Sequence, residues 1–277
     1  MKKILVTGCN GQLGRAINKA YEGEAVQLIN TDVAELDITD VEQVVSFVME
    51  HKPEVIINCA AHTNVNACES QWDLAYKINA IGPRNLSIAA TKVGAKMIHV
   101  STDYVFDGTN TEPYNEFSPV APLGAYGKTK LEGEEFVKQF AEKYFIIRTA
   151  WLYGEGKNFV QTMLTLGKEK GEVSVVCDQI GSPTSAKALA EMIKTLEPTD
   201  NYGLFHGTCE GYCSWADFTE KIFEYAGVDA KVNHITTDQY PTPAKRPAYS
   251  VLDNYMLKLT TDFTFPQWED ALKEYLA

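Results

Sequence analysis

Short apolar runs alternate with stretches of helical spacing along the first half of the chain. The runs that predict strands are residues 3–7, 25–30, 55–59, 96–101 and 145–149. The stretches that predict helices are residues 13–21, 39–50, 72–93 and 126–144. Because strands that alternate with helices are joined by right-handed crossovers, the pattern predicts an α/β fold with a doubly wound parallel sheet.

The pattern loosens after about residue 151, where glycine and proline become frequent. The helices predicted there are shorter, at residues 186–196 and 214–225, and prolines recur in the tail. Such a segment is typical of a smaller lobe laid over the carboxyl edge of the sheet, where open α/β folds bind ligands. We therefore expect a first domain of residues 1–150 and a second lobe of residues 151–277, parts of which can return to the first domain.

The first predicted strand runs into Gly-Cys-Asn-Gly-Gln-Leu-Gly at residues 8–14, and this loop opens the first helix. Its glycines permit a tight turn and close approach of a pyrophosphate to the backbone, while the helix N-terminus supplies amide donors. A three-glycine loop alone is a weak signal, because an ordinary strand–helix turn can look the same. Its place at the start of the alternating pattern favours a Rossmann-like, dinucleotide-binding domain in residues 1–150.

A carboxylate ends the second predicted strand, where Asp32 lies about 20 residues beyond the glycine loop. At this position a carboxylate grips both ribose hydroxyls and repels a 2′-phosphate, and no arginine follows to receive one. We therefore expect NADH as the cofactor, with NADPH bound more weakly. A solvated turn aspartate is the alternative for this single residue. Asp37 and Ile38 follow and are suited to cap the adenine.

Two further positions carry groups suited to proton transfer. Tyr126 and Lys130 lie four residues apart, on one face of a predicted helix. A nearby cation can stabilise the phenolate of a tyrosine, whose ordinary pKa is about 10. A lone pair of this kind is usually a surface pair. Upstream, a predicted strand ends in Ser101 and Thr102, and only one of these hydroxyls can face the cleft because side chains alternate along a strand.

Composition narrows the classes of partner. The chain has 277 residues and a formal net charge of −12, which argues against a general affinity for nucleic acid or an anionic membrane. No segment approaches the roughly 20 apolar residues of a membrane span. The six cysteines form neither a CxxC pair nor a zinc-ligand spacing. We expect reduced thiols, no metal and a cytoplasmic location.

Several of these segments resemble the extended short-chain dehydrogenase/reductase family. They are the glycine loop, residues 58–63 (NCAAHT), 101–108 (STDYVFDG), 148–154 (RTAWLYG), and Tyr126 with Lys130. Residues 178–184 (DQIGSPT), 203–206 (GLFH) and 246–247 (RP) are similar to those of the family's reductases of dTDP-linked 4-keto-6-deoxysugars. These later segments are specific, because relatives with other substrates diverge in the second lobe.

The resemblance implies a role for each matching residue. The catalytic residues would be Thr102, Tyr126 and Lys130, with Tyr126 donating a proton to the C4 oxygen while NADH delivers hydride to C4 of the sugar. The substrate-binding residues would be Thr102, Asp103, Trp151 and Arg246, with Arg246 against the nucleotide diphosphate. The cofactor-binding residues would be Gly8, Asn10, Gly11, Gln12, Leu13, Asp32, Asp37, Ile38, Cys59, Ala60, Ala61, Thr63, Asn79, Tyr126 and Lys130. A core aromatic is the alternative for Trp151, and a surface salt bridge the alternative for Arg246.

The reaction implied is reduction of dTDP-4-dehydro-6-deoxy-L-mannose to dTDP-L-rhamnose. A dehydratase or epimerase of the same superfamily is an alternative, although Asp103 is followed by Tyr104 and not by the glutamate of the dehydratases. A non-catalytic, dinucleotide-binding regulatory subunit is another. Some relatives dimerise through magnesium bound to an acidic residue after the third glycine. Arg15 and Ala16 stand there, so the metal is not expected and a homodimer stays open.

Overall fold

A computed structural model describes residues 1–277. Its strands are β1 (Lys2–Thr7), β2 (Val26–Thr31), β3 (Val55–Asn58), β4 (Lys96–Thr102), β5 (Tyr144–Thr149), β6 (Leu152–Tyr153), β7 (Glu172–Val176), β8 (Ile180–Gly181), β9 (Thr184–Ser185), β10 (Gly203–His206), β11 (Cys213–Ser214) and β12 (Lys231–Ile235). Its α-helices are α1 (Gln12–Ala20), α2 (Val41–His51), α3 (Val65–Ser70), α4 (Trp72–Tyr76), α5 (Gly82–Val93), α6 (Ala125–Phe140), α7 (Phe159–Lys170), α8 (Ala186–Leu196), α9 (Trp215–Ala226), α10 (Tyr255–Thr260) and α11 (Trp268–Leu276).

Six parallel strands form the central sheet, in the order β10-β5-β4-β3-β1-β2. This arrangement confirms the predicted α/β fold with a doubly wound parallel sheet. In register, Thr7 lies beside both Thr31 and Asn58, and Thr102 lies beside Thr149. The carboxyl ends of the strands therefore meet at one edge. Because β10 comes from residues 203–206, the chain after residue 150 returns to this sheet.

The remaining short strands pair as β6 with β9, β7 with β12 and β8 with β11. A cluster of 33 buried hydrophobic residues runs from one face of the sheet, at Ile4 and Phe145, into the lobe at Phe218 and Trp268. A second cluster of 14 covers the other face under α2, α5 and α6. The lobe is thus anchored by a core that it shares with the sheet, which holds it over the carboxyl edge. None of the helices has the length and apolar character needed to cross a membrane.

The helix predicted over residues 72–93 is interrupted in the structure. A π-helical turn at Lys77–Ile81 separates α4 from α5. Pro83, the second residue of α5, has no N–H to offer the carbonyl oxygen of Asn79, so the regular ladder cannot continue there. The same oxygen leaves no room for a Cβ at Gly133, which lets α6 approach closely.

Two other differences concern element bounds. The helix predicted to run to residue 144 ends at Phe140, where the Thr91 hydroxyl satisfies its last carbonyl at 2.8 Å. The chain must then turn into β5, and Lys143 already accepts a bond from the Met97 amide. In the lobe, α7, α10 and α11 were not predicted.

Candidate active site

A cavity of about 920 Å³ opens at the carboxyl edge of the sheet. One wall, which we call the cofactor half, is formed by the glycine loop, Asp32 and residues 59–63. Another wall, which we call the substrate half, is formed by Asp103, Trp151, Trp215 and Arg246. The predicted site residues that line it are Gly8, Gly11, Gln12, Leu13, Asp32, Asp37, Ile38, Cys59, Ala60, Ala61, Thr63, Thr102, Asp103, Tyr126, Lys130, Trp151 and Arg246. The two predicted residues that do not line it are Asn10 and Asn79.

The glycine loop is shaped by close backbone contacts. Gly8 has φ +66°, and a Cβ there would lie 2.7 Å from the amide nitrogen of Ala60. A Cβ at Gly14 would overlap the carbonyl oxygen of Gly8. Helix α1 begins directly after Gly11 with no side-chain cap, and the buried Gln12 Oε1 has no hydrogen-bond partner. Uncapped amide donors beside a bare backbone fit a pyrophosphate.

Asp32 is half-buried where β2 ends. One carboxylate oxygen accepts the Val33 amide at 2.9 Å, and the other accepts the Asn10 amide at 3.3 Å. Asn10 therefore serves the site through its backbone and not through its exposed side chain. Farther along, the Asp37 carboxylate accepts both the amide and the hydroxyl of Thr39, at 2.9 and 2.8 Å, so part of its hydrogen-bonding capacity is already used.

Asn79 is buried and has an indirect position. Its side-chain oxygen accepts the His62 amide at 2.8 Å, while its nitrogen donates to the His62 carbonyl at 3.2 Å and to the Thr129 hydroxyl at 3.1 Å. These bonds use the amide in holding residues 61–63 against α6, and the cofactor contact expected of Asn79 stays a prediction. The π turn, which sequence periodicity did not reveal, is what faces Asn79 inward.

Thr102 and Tyr126 line the cavity together at the mouth of the sheet, close enough for the Thr102 hydroxyl to oppose the rise that burial causes in the Tyr126 pKa. The Thr102 hydroxyl also donates to Asp103 Oδ1 at 3.0 Å and accepts the Tyr104 amide at 3.2 Å. The Ser101 hydroxyl instead donates to Glu134 at 2.6 Å. Of the two adjacent hydroxyls, Thr102 is thus the one that meets the tyrosine.

Burial controls the ionisation of the two groups on α6. Burial raises the pKa of Tyr126 above its usual value, so the phenol keeps its proton at neutral pH. Burial is the largest influence on this pKa, and stabilisation of the Tyr126 phenolate by Lys130 stays a prediction. The Lys130 ammonium donates to the Val100 carbonyl at 2.6 Å. Burial lowers the pKa of Lys130 to about 8, and the charge of Glu134 opposes that shift.

The substrate half contains a buried carboxyl and a free guanidinium edge. Burial raises the pKa of Asp103 to about 6, against hydrogen bonds from Ser250 and Thr102, and its Oδ2 has no partner. Arg246 lies close enough to Tyr104 for its charge to oppose the rise that burial causes in the Tyr104 pKa, and the buried Arg246 Nε has no partner. Both residues therefore keep unused polar atoms at the cavity.

Trp151 has φ +46°, an uncommon backbone conformation for a bulky residue. Its indole stacks on Trp215, with ring centroids 3.5 Å apart and planes 6° from parallel. A Cβ at Gly181 would overlap the Trp151 ring, so the glycine of residues 178–184 makes room for it. That segment does not line the cavity, and its Asp178 accepts the amide and hydroxyl of Thr237.

The lining residues that the sequence did not assign to the site include Trp215, Lys157 and Arg15. Trp215 lies at the cavity where it stacks on Trp151. Lys157 lies there because the β6–α7 connection folds back beside α1. Arg15 donates to the Glu155 carbonyl at 3.2 Å across the same connection. No local motif marks any of them. All six cysteines are free, and no group of three or more His, Cys, Asp or Glu side chains is arranged to hold a metal.

The sheet, the glycine loop and the cavity define a Rossmann-type, dinucleotide-binding α/β protein. The chain belongs to the family described as the RmlD substrate binding domain, whose model matches residues 1–277. This membership confirms the resemblance inferred from the sequence.

Individual relatives agree along the full length. A dTDP-4-dehydrorhamnose reductase of Aggregatibacter actinomycetemcomitans is 40% identical, over 100% of this chain and 99% of the relative. The crystal structure of a dTDP-4-dehydrorhamnose reductase of Clostridium acetobutylicum is 58% identical with a TM-score of 0.97, covering 99% of this chain and 98% of that one. That of Bacillus anthracis, in complex with NADP, is 46% identical with a TM-score of 0.97, covering 99% of each chain.

Proposed function

We propose that this chain is an NADH-dependent reductase that converts the C4 ketone of dTDP-4-dehydro-6-deoxy-L-mannose into the alcohol of dTDP-L-rhamnose. The observation that carries the proposal is one cavity that brings Thr102, Tyr126 and Lys130 together, between a glycine loop fit for a dinucleotide and a lobe with a free arginine edge. Full-length relatives named as dTDP-4-dehydrorhamnose reductases support the choice of substrate.

The cofactor would be held mainly by backbone groups. The amides at the start of α1 would bind the pyrophosphate, Asp32 the adenosine ribose and Lys130 the nicotinamide ribose. When bound, the reduced nicotinamide supplies hydride. The NADP complex of the Bacillus anthracis relative concerns that protein, and the preference of this chain for NADH stays a prediction from Asp32.

The protein's own chemistry is proton transfer and orientation. Thr102 and Tyr126 would both bind the C4 oxygen, and Tyr126 would donate its proton as that oxygen gains charge. Its raised pKa suits this direction, because an acid must be protonated at the start of the step. In a chain of net charge −12, Arg246 would hold the diphosphate of the substrate, with Asp103 and Trp151 against the sugar.

A dehydratase needs a base beside the carbonyl, and the position after Asp103 offers none. Tyr104 stands there, with its ring edge-on to Tyr126 at 5.4 Å between centroids. A regulatory subunit would not require the pairing of Thr102 with Tyr126. The reductase is therefore the reading that uses every group described.

The test is to incubate the purified protein with NADH and dTDP-4-dehydro-6-deoxy-L-mannose and to identify the product. We expect stoichiometric oxidation of NADH and formation of dTDP-L-rhamnose. The matched control replaces the substrate by a GDP-linked 4-keto-6-deoxysugar. No oxidation with the dTDP-sugar, or faster oxidation with the GDP-sugar, would contradict the assignment.

We further propose that the chain works in the cytoplasm, where the free state of all six cysteines would persist. A homodimer is a second proposal that sedimentation can decide. A single monomeric species at micromolar concentration would reject it.

A further inference from the structure

Beneath the cavity lies a buried ion pair that the proposed reaction does not use. The carboxylate of Glu134 accepts Arg148 Nε at 2.9 Å and Arg148 Nη2 at 2.7 Å, a two-pronged geometry. The same carboxylate accepts the Ser101 hydroxyl at 2.6 Å. All three residues are buried, and Glu134 has no exposed surface.

The three residues come from the elements that carry the catalytic trio. Glu134 follows Lys130 by one turn of α6 and Tyr126 by two turns, so all three share a helix face. Ser101 precedes Thr102 on β4, and Arg148 lies beside Ser101 on β5. A single carboxylate therefore ties α6 to both strands at the point where they approach the cavity.

Stability alone is a weak reason for this arrangement. A buried ion pair loses much of its attraction to desolvation, and well-packed apolar residues are often as stable in its place. What a fixed carboxylate adds is a defined position of α6 along β4. We propose that Glu134 is a positioning residue for the reduction, holding Tyr126 and Lys130 in register with Thr102. This inference rests on the function proposed above.

Glu134 also affects the charge of Lys130. The titratable groups that act on Lys130 are Glu134 on the same helix and Cys59 after β3, while the buried imidazole of His99 on β4 is held neutral by burial and by Lys130 itself. Burial lowers the pKa of Lys130 to about 8, and Glu134 opposes this most. Without the carboxylate, Arg148 and Lys130 would be two buried cations without a counter-charge, and the pKa of Lys130 would fall further.

The test compares Glu134→Gln with Glu116→Gln. Glu116 is another buried carboxylate, which accepts the amides of His206 and Met256 away from the cavity. For Glu134→Gln we expect kcat to fall roughly 10- to 100-fold with the sugar KM little changed, because the reacting groups are misplaced and not lost. The pH above which NADH binding weakens should be about one unit lower in this variant than in the wild type. Glu116→Gln should show neither change.

If Glu134→Gln kept the kcat of the wild type and the same pH dependence of NADH binding, Glu134 would be a structural group only, and the proposal would be overturned. Should that variant fail to fold, Glu134→Gln with Arg148→Met removes both charges together, and wild-type kcat in this double variant would overturn it equally. The NADH-binding measurement uses no sugar. A wild-type protein that did not reduce the dTDP-sugar would therefore refute the proposed function. The pH dependence of NADH binding in Glu134→Gln would still decide the role of Glu134.

Discussion

The cofactor half and the substrate half of the cavity differ in how far apart along the chain their residues lie. The cofactor half is built from short loops at the ends of neighbouring strands, where glycines and backbone groups line the cavity. The substrate half brings together Asp103, Trp151, Trp215 and Arg246 through tertiary contacts. The first half follows from topology, since parallel strands align their carboxyl ends. The second depends on individual side chains, so its changes should affect one ligand at a time.

The largest effect is expected where the halves meet. Tyr126→Phe removes the proton but little surface, so kcat should fall about 1,000-fold while the affinity for NADH is retained. Stopped-flow NADH oxidation and a fluorescence titration would measure the two quantities. Lys130→Met is the contrast, because it should damage both turnover and cofactor binding. Near-native kcat in Tyr126→Phe would mean that another acid acts.

A smaller effect is expected on stability in the substrate half. The pKa of Asp103 is about 6 in the fold against an ordinary 3.8, so the folded state favours the protonated form. The contribution of Asp103 to the free energy of unfolding is therefore most favourable below pH 3.8 and is lost as the pH rises towards 6. Above pH 6 the buried carboxylate lowers the free energy of unfolding by about 2–3 kcal/mol. Asp103→Asn should melt several degrees higher than the wild type at pH 7.5 and at the same temperature near pH 4. Equal melting at pH 7.5 would refute this.

Arg246→Ala should affect binding in the substrate half and leave the cofactor half unchanged. Loss of a charged hydrogen-bonding group should raise the KM for the dTDP-sugar roughly 10- to 100-fold, with kcat at saturation and NADH affinity preserved, because uniform binding affects KM alone. Lys245→Ala, at the exposed neighbouring position, is the matched control. A fall in kcat without a change in KM would place Arg246 in the chemistry and not in binding.

The smallest effect is expected in the cofactor half. Wild-type protein should bind NADH more tightly than NADPH, and Asp32→Ala should reduce that ratio about 5- to 10-fold, because the half-buried carboxylate opposes a 2′-phosphate only partly. Isothermal titration with both cofactors would measure it. A wild-type preference for NADPH would remove this role from Asp32 and weaken the contrast between the halves.

The same contrast explains what the sequence could predict. Periodicity and local motifs predict the first five strands along the chain, the glycine loop and Asp32. They suffice for this half because the fold itself brings the strand ends together. Trp215 and Lys157 could not be found in this way, since each reaches the cavity through packing against a distant segment. The bonds of Asn79 to His62 and Thr129 could not be predicted either, because the π turn that faces this side chain inward leaves no periodic signature of its own.

The stacked pair of Trp151 and Trp215 has an optical consequence. The chain has four tryptophans, and these two indoles lie nearly parallel at 3.5 Å. Transitions of chromophores this close couple, which gives paired bands of opposite sign in circular dichroism. The protein should therefore carry a built-in spectroscopic reporter in the substrate half. Its signal should vanish in Trp215→Leu, and a change on addition of a sugar nucleotide would report a ligand that moves Trp151.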